Sequence, residues 1–158
     1  MKIIGLTGPT GTGKSTVSLV AASMGIEVID CDKAAGNITK KGAPVLEKLS
    51  LAFGADMIGT NGELDRKLLA ERAFLTQTNT EKLNSIVLPV VVEDIKKRLN
   101  EFSKMGVKTV LLDAPTLFES GIDSVCDEVI AVLCPENVRR SRIIERDNLT
   151  EQQAETRL

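Results

Sequence analysis

The sequence predicts an α/β fold: a parallel β-sheet with helices on both faces, of the class built around a phosphate-binding loop. Two observations support this prediction. Four short apolar runs, at residues 2–6, 26–29, 109–112 and 129–133, have the length and flanking sequence of buried strands. The first run leads directly into GPTGTGKST at residues 8–16, which is a complete P-loop pattern followed by an amphipathic helix.

Each residue type in this loop has a physical role. Glycines permit positive φ angles, so that successive backbone N–H groups can surround a phosphate at the start of a helix. Lys14 is expected to bind the β- and γ-phosphates, and Ser15 offers its hydroxyl to Mg²⁺. The predicted nucleotide-binding residues of the loop are Gly8, Pro9, Thr10, Gly11, Thr12, Gly13, Lys14, Ser15 and Thr16.

Length and composition exclude several classes of function. A chain of 158 residues suits one domain, and a net charge of -2 with 3% aromatic residues argues against nucleic acid as a partner. No apolar run is long enough for a membrane span, and we expect a cytoplasmic protein with reduced cysteines. The absence of histidine excludes a histidine-based zinc site, so that any metal should be Mg²⁺ held by oxygen atoms.

Cys31 is expected to be a small buried residue and not a nucleophile.

The first helix is predicted over residues 15–24 and ends at Gly25. The second apolar run then leads to Asp30 and Asp32, in a strand that we expect to neighbour the P-loop strand. Because ligands lie beyond the carboxyl ends of strands in open α/β sheets, both carboxylates should lie on the side of the loop. We interpret Asp32 as a general base for an acceptor hydroxyl, and Asp30 as a residue that orients it or caps the next helix.

The segment from residue 33 to residue 106 is predicted to be a helical insertion. One helix buries Leu46, Leu49 and Phe53 and ends at Gly54, and Asp65 caps another over residues 66–74. Thr80 is predicted to cap a short helix, and Pro89 to begin a longer one that ends before Gly106.

The third apolar run ends in Asp113, which is interpreted as a Mg²⁺-binding aspartate, although a helix cap or turn is the alternative. A helix over residues 135–146 places Arg139, Arg142 and Arg146 in one direction. Such a stripe in isolation is usually a solvated basic face, but next to a P-loop it indicates stabilisation of a transferred phosphoryl group. Thr150 and Gln153 then form a capping box. Four strands are predicted, one fewer than a P-loop core usually has, so that we expect the last core strand to be missing.

A P-loop alone is compatible with a GTPase, a motor-type ATPase or a small-molecule kinase. The sequence has no NKxD guanine-binding motif and no LSGGQ-like signature, and the DxxG string at residues 56–59 falls in the helical insertion and is interpreted as a coincidence. Asp32 is the feature that favours a kinase, because it can accept the proton of an acceptor hydroxyl.

Several segments resemble the dephospho-CoA kinase family over nearly the whole chain. They are KIIGLTGPTGTGKST, GIEVIDCDKAA, KGAPVLEKL, FGADMI, NGELDRKLLAERAF, LDAPTLFESGID and RDNLTEQQA. The resemblance implies ATP-dependent phosphorylation of the ribose 3′-hydroxyl of dephospho-CoA, the last step of coenzyme A synthesis, with ATP and Mg²⁺ as cofactors and dephospho-CoA as the partner.

Site residues and domains follow from the same resemblance. The catalytic residues would be Asp32 as base, Lys14, and Arg142 as lid arginine with Arg146 close behind. Residues 1–32 and 107–134 would form the nucleotide-binding core, residues 33–106 the CoA-binding insertion and residues 135–158 the lid helices. The residues near the acceptor would be Asp32, Asp65, Arg66, Pro115, Leu117 and Phe118, and the metal ligands Ser15 and Asp113.

The sequence departs from the family pattern at three places. Leu88-Pro89 stands where most members have His-Pro, and Pro9-Thr10 where glycine followed by isoleucine or valine is commoner. The family also continues past residue 158 with a final strand and a loop that contacts the adenine. Two alternatives therefore stay open: a P-loop kinase for another small hydroxyl acceptor, and a nucleotide-binding module without turnover.

Overall fold

Four parallel strands form one sheet in the structure, a computed structural model that describes residues 1–155. The strands are β1 (Lys2–Thr7), β2 (Glu27–Asp30), β3 (Thr109–Asp113) and β4 (Glu128–Ala131). Each coincides with one of the four apolar runs, which confirms the predicted parallel sheet. The described residues divide into two compact units: a sheet unit, comprising residues 1–30 and 102–155, and a helical unit, Cys31–Glu101.

The strand order is β2-β3-β1-β4, so that β3 lies between the P-loop strand and β2. The prediction that β2 neighbours β1 was wrong. The physical reason lies in β3, whose Val110, Leu111 and Leu112 are almost entirely buried and require a neighbour on both sides. Register places Asp30 opposite Asp113 in the β2–β3 pair, so that two aspartates end adjacent strands at the same edge of the sheet.

The core of the sheet unit forms between the strands and α1 (Lys14–Ser23). Leu6, Ala21 and Leu111 are buried together, and partly buried apolar residues of β1, α1 and β2 pack around them. Successive strand residues face opposite sides, so that Gly5 lies on the other face of β1. Leu117 packs against that glycine, since a Cβ added at Gly5 would lie 2.8 Å from its Cδ2. This packing fixes the strand that leads into the P-loop.

Six further helices follow α1 in the described residues, namely α2 (Cys31–Ile38), α3 (Val45–Phe53), α4 (Arg66–Ala73), α5 (Gln77–Lys104), α6 (Glu136–Asp147) and α7 (Glu151–Glu155). Several predicted boundaries are confirmed. The Asp65 side chain accepts a hydrogen bond from the Leu68 N–H at 2.9 Å and caps α4. Thr150 and Gln153 exchange the two hydrogen bonds of a capping box at α7. None of the helices within residues 1–155 is long and apolar enough to cross a membrane.

Helix α5 is one continuous helix of 28 residues with Pro89 inside it, and the prediction of two helices here was wrong. Its start is capped by Thr76, whose hydroxyl oxygen accepts from the Asn79 N–H at 3.1 Å. Thr80, the predicted cap, instead donates its hydroxyl to the Ala73 carbonyl at 3.0 Å. Proline inside a helix removes one hydrogen bond and costs about 3 kcal/mol. Apolar residues on both sides of Pro89 offset this cost by packing inward: Leu83, Ile86, Val87, Val90, Val91, Ile95 and Leu99.

The helical unit has its own core around Leu49 and Met57, both fully buried, with the inner faces of α3, α4 and α5. Arg72 ties this core to the 3₁₀ turn at Ala55–Met57 by donating to the Phe53 carbonyl and to the Asp56 carboxylate. That hydrogen bond holds the pKa of Asp56 below its ordinary value and raises the pKa of Arg72. Asp56, the first residue of the DxxG string, therefore has a structural partner in the helical unit.

Candidate active site

The backbone of the glycine-rich loop runs through conformations that only glycine adopts readily. Gly8, Gly11 and Gly13 have φ angles of 152°, 84° and 98°. A Cβ added at Gly8 would lie 2.4 Å from the Val132 carbonyl oxygen, and one at Gly11 would lie 2.9 Å from the Arg139 carbonyl oxygen. Both positions therefore need glycine for space as well as for conformation. A loop of this form at the start of α1 fits a nucleoside triphosphate, whose phosphates it would bind through backbone N–H groups.

The polar residues of the loop hold its shape from inside. The buried Thr12 donates its hydroxyl to the Pro9 carbonyl at 2.9 Å, while its N–H points at the same oxygen. The Thr16 N–H bonds to the Gly13 carbonyl at 3.0 Å, which closes the first turn of α1. Pro9, which has no N–H to offer, thus serves as an acceptor in the turn.

Lys14 and Asp113 form an ion pair in the sheet unit. The Lys14 ammonium donates to one carboxylate oxygen, and the hydroxyl of Ser18, one turn further along α1, donates to the other. Asp113 is 8% exposed, so that this nearly buried carboxylate has a donor on each oxygen. Ser18 was not among the predicted site residues; its position four residues after Lys14, on the same face of α1, was the only signal in the sequence.

Two arginines of α6 bind the outer side of the glycine-rich loop. Arg142 donates to the carbonyls of Gly11 and Thr12 at 3.3 and 3.1 Å, and Arg139 donates from Nε to the carbonyl of Thr10 at 3.0 Å. These bonds engage only carbonyl groups of the loop, so that they take up none of its N–H groups. Arg139 was recognised in the sequence as part of a basic stripe, but its bond to the loop was not predicted.

Arg146, the third residue of the stripe, has a different environment. Its Nε and terminal nitrogen donate to the two carboxylate oxygens of the adjacent Asp147 at 2.7 and 2.8 Å, and this bonding raises the pKa of Arg146. A nucleotide contact of Arg146 stays a prediction. Of the predicted lid segment, residues 156–158 lie outside the described residues.

The oxygen donors at this site fit Mg²⁺. Ser15 is exposed in the first turn of α1, and Asp113 ends the strand next to β1. Both are hard oxygen ligands, which Mg²⁺ prefers. Within residues 1–155 no group of three or more His, Cys, Asp or Glu residues could hold a metal by itself. A Mg²⁺ ion here would therefore depend on substrate phosphates and water for most of its coordination.

The helical unit contains the predicted base and two predicted acceptor-binding residues. Asp32 lies in the first turn of α2 and its side chain is exposed. Asp65 is exposed too, but one of its oxygens caps α4. Arg66 donates to the Gly36 carbonyl at 2.8 Å, which links the start of α4 to the last turn of α2.

The three predicted acceptor-binding residues after β3 differ in exposure. Leu117 is fully buried in the sheet unit, whereas the Phe118 side chain is 59% exposed. The carbonyl of Pro115 accepts the Thr7 hydroxyl at 3.1 Å, which ties this segment to the end of β1. Pro115 and Phe118 are therefore the side chains of the three that offer apolar surface to a ligand.

None of Cys31, Cys126 and Cys134 forms a disulfide bond in the described residues. Cys31 is 8% exposed, as expected for a small buried residue. Burial, together with the charges of Asp123 and Asp127, raises the pKa of the Cys126 thiol, which is therefore protonated at neutral pH. Neither residue is suited to act as a nucleophile.

Comparison with known proteins decides the family. The protein-family model for dephospho-CoA kinase matches residues 2–158 of this chain. The chain belongs to the dephospho-CoA kinase family. Curated members include the dephospho-CoA kinase of Geobacillus kaustophilus, 39% identical over 98% of this chain and 77% of the relative, and that of Fusobacterium nucleatum, 43% identical over 97% of this chain and 77% of the relative.

Similar proteins of known structure share this fold. TT1252 from Thermus thermophilus has a TM-score of 0.79 at 30% identity, covering 99% of this chain and 78% of its own. The dephospho-CoA kinase from Campylobacter jejuni has a TM-score of 0.70 at 29% identity, covering 100% of this chain and 79% of its own. A gluconokinase from Sinorhizobium meliloti, at 14% identity and a TM-score of 0.50, shares the fold alone.

Proposed function

We propose that this chain transfers the γ-phosphoryl group of ATP to the ribose 3′-hydroxyl of dephospho-CoA, which gives coenzyme A and ADP. The observation that carries the proposal is membership of the dephospho-CoA kinase family along residues 2–158, together with an intact P-loop. ATP, Mg²⁺ and dephospho-CoA are the ligands that this reaction requires. We expect it to take place in the cytoplasm.

ATP would bind through the glycine-rich loop. The loop N–H groups and the Lys14 ammonium would bind the phosphates, and Arg142, already hydrogen-bonded to the loop, adds positive charge next to it. Mg²⁺, when held by Ser15 and Asp113, would neutralise charge on the phosphate oxygens. These groups stabilise the charge that develops on the transferred phosphoryl group and on ADP.

Asp32 would act on the acceptor. Its carboxylate accepts the proton of the 3′-hydroxyl while the oxygen forms a bond to the γ-phosphorus, and the bond from that phosphorus to the β-phosphate oxygen breaks. General-base assistance of this kind contributes typically about 10²- to 10⁴-fold to the rate. The exposed position of Asp32 in the first turn of α2 supports this role, because a base must be accessible to its substrate.

The remaining acceptor contacts are the ones that the resemblance to the dephospho-CoA kinase family implies. Arg66 and Asp65 would bind the acceptor from the start of α4, and Pro115 and Phe118 would contribute surface from the segment after β3. Leu117 would support that segment from the core, since it is fully buried.

The proposal is tested by measuring ADP release with ATP and Mg²⁺ in the presence of dephospho-CoA, adenosine or a panel of other small hydroxyl acceptors. We expect release only when dephospho-CoA is present. Release with another acceptor but not with dephospho-CoA would identify a different small-molecule kinase. Calorimetric ATP binding without ADP release from any acceptor would instead identify a binding module.

A further inference from the structure

A polar cleft in the helical unit includes two lysines that the proposed function has not used, next to Arg66. It has a volume of about 230 Å³ and is lined by Thr39, Lys40, Lys41, Glu63, Leu64 and Arg66. We refer to these six residues as the cationic cleft. Three cations and one carboxylate line it, so that its net charge favours an anionic ligand.

Hydrogen bonds and packing build the walls of the cleft. Thr39 is buried, and its hydroxyl donates to the Gly36 carbonyl at 3.1 Å, the same carbonyl that accepts from Arg66. A Cβ at Gly62 would lie 3.3 Å from Lys41 Cε, so that the lysine stem runs along this glycine. The arginine and one lysine are therefore supported by the surrounding chain.

The charges within the cleft are not neutralised by ion pairs. In the described residues, none of Lys40, Lys41 and Arg66 forms an ion pair with a carboxylate. Glu63, the carboxylate of the cleft, instead accepts a hydrogen bond from the Asn61 amide at 2.9 Å. A cation near the end of a helix is stabilised by the helix dipole, which accounts for Arg66 at the last turn of α2. The ammonium groups of the two lysines form no hydrogen bond among the described residues and are therefore available to a ligand.

We propose that the cationic cleft binds the diphosphate group of the acceptor substrate, an inference that rests on the proposed function. Helix α2 connects the two ends of this arrangement, because Asp32 lies in its first turn and Thr39 directly follows its last residue. Seven residues of helix separate them by roughly 10 Å along the axis. In dephospho-CoA the 3′-hydroxyl and the 5′-diphosphate are separated by the ribose carbons and one methylene group, a span of roughly one to two helical turns. The helix thus spaces the base and the cleft so that one substrate can reach both.

The diphosphate matches the cleft in chemistry as well as in distance. Its oxygens accept several charge-assisted hydrogen bonds at once, which two ammonium groups and a guanidinium can supply together. Adenosine carries the same 3′-hydroxyl but lacks the diphosphate. The cleft would therefore distinguish dephospho-CoA from simple nucleosides.

The test uses two double variants. The cleft variant carries both Lys40→Gln and Lys41→Gln. The control carries both Lys48→Gln and Lys96→Gln, which make the same change of charge at exposed lysines of the helical unit outside the cleft. Calorimetry measures the Kd of dephospho-CoA, adenosine and inorganic pyrophosphate, and steady-state kinetics measures KM and kcat. We expect the cleft variant to raise the Kd and KM for dephospho-CoA by about 10- to 100-fold and to weaken pyrophosphate binding. In the same variant, the Kd of adenosine, the KM for ATP and kcat should change less than about twofold. A conservative double variant, with both Lys40→Arg and Lys41→Arg, should retain affinity for dephospho-CoA because it keeps both positive charges.

The outcomes separate this inference from the proposed function. Equal affinity for dephospho-CoA in the cleft variant and the control, with phosphorylation intact, would overturn the cleft assignment alone. Loss of ATP affinity in the cleft variant would also overturn it, because the cleft would then bind the nucleotide. If the unaltered chain does not phosphorylate dephospho-CoA, the proposed function fails. The difference in pyrophosphate affinity between the cleft variant and the control, which share the same P-loop, still decides whether the cleft is an anion site.

Discussion

The ammonium of Lys14 and the carboxylate of Asp113 form an ion pair that joins the first turn of α1 to the end of β3, with side chains only 15% and 11% exposed. Ser18 donates to the second carboxylate oxygen. The pair holds the lysine of the P-loop next to the strand end where Mg²⁺ is expected. A bound triphosphate would compete with Asp113 for the same ammonium, so that the pair links nucleotide binding to the stability of the sheet unit.

Lys14→Met should therefore affect binding, catalysis and stability together. Loss of the ammonium removes a phosphate contact, and we expect kcat/KM to fall at least about 100-fold, with weaker ATP binding in calorimetry. It also leaves the nearly buried Asp113 with one donor fewer, which should lower the free energy of unfolding by about 1–3 kcal/mol in urea titrations. Lys48→Met, at an exposed residue of α3, is the control. Normal ATP affinity in Lys14→Met would remove Lys14 from the phosphate site.

Asp32→Asn should separate binding from chemistry. Asparagine keeps the shape of the side chain but cannot accept the hydroxyl proton as a base, so that kcat should fall about 10²- to 10⁴-fold while ATP binding is retained. Single-turnover assays of product formation and calorimetry with ATP measure the two effects. Glu47→Gln, at an exposed carboxylate of the same unit, should leave both unchanged. Nearly full turnover in Asp32→Asn would show that another group, or no group, is the base.

Two glycine-to-alanine variants test the geometry of the loop. Gly8 has a φ of 152°, and its Cβ would lie 2.4 Å from a backbone carbonyl, so that Gly8→Ala should destabilise the fold by about 1–3 kcal/mol and weaken ATP binding. Gly36 lies within α2 with no atom within 4 Å of its added Cβ. Gly36→Ala should therefore be neutral or stabilise by up to about 1 kcal/mol. Thermal unfolding of both variants measures the difference, and equal stabilities would contradict this description of the loop.

The ion pair of Asp56 and Arg72 predicts a pH dependence of stability. The pKa of Asp56 is lower in the folded state than in the unfolded chain. The contribution of the pair is therefore complete above about pH 4 and is lost as the pH falls through the lower folded-state pKa. Asp56→Asn should be less stable than the unaltered chain at about pH 7, and this difference should shrink in acid. Urea titrations between about pH 3 and pH 7 measure it, with Glu101→Gln as the control; a difference independent of pH would contradict the assignment.

Local features of the structure could be predicted from the sequence because they depend on residues close together in the chain. The P-loop pattern predicted the turn, the glycine conformations and the start of α1. The cap at Asp65 and the capping box of Thr150 and Gln153 were predicted for the same reason, since each involves side chains within one helical turn.

Features that depend on distant residues could not be predicted. The order of strands follows from which apolar run is best buried, and nothing in the local sequence of β2 indicated that β3 would lie beside it. The hydrogen bonds of Arg139 and Arg142 to the P-loop join residues more than 100 positions apart. Pro89 suggested a helix boundary, but burial of the apolar residues on both sides outweighs its local cost.

Identification of the product formed from ATP, Mg²⁺ and dephospho-CoA is the decisive experiment for the proposed function. Mass spectrometry and ³¹P NMR would determine how many phosphates are added and to which oxygen. The proposed function predicts coenzyme A, with a single new phosphate on the ribose 3′-oxygen and one ADP for each molecule formed. Hydrolysis of ATP without phosphorylation of the acceptor, or a phosphate on any other oxygen, would contradict it.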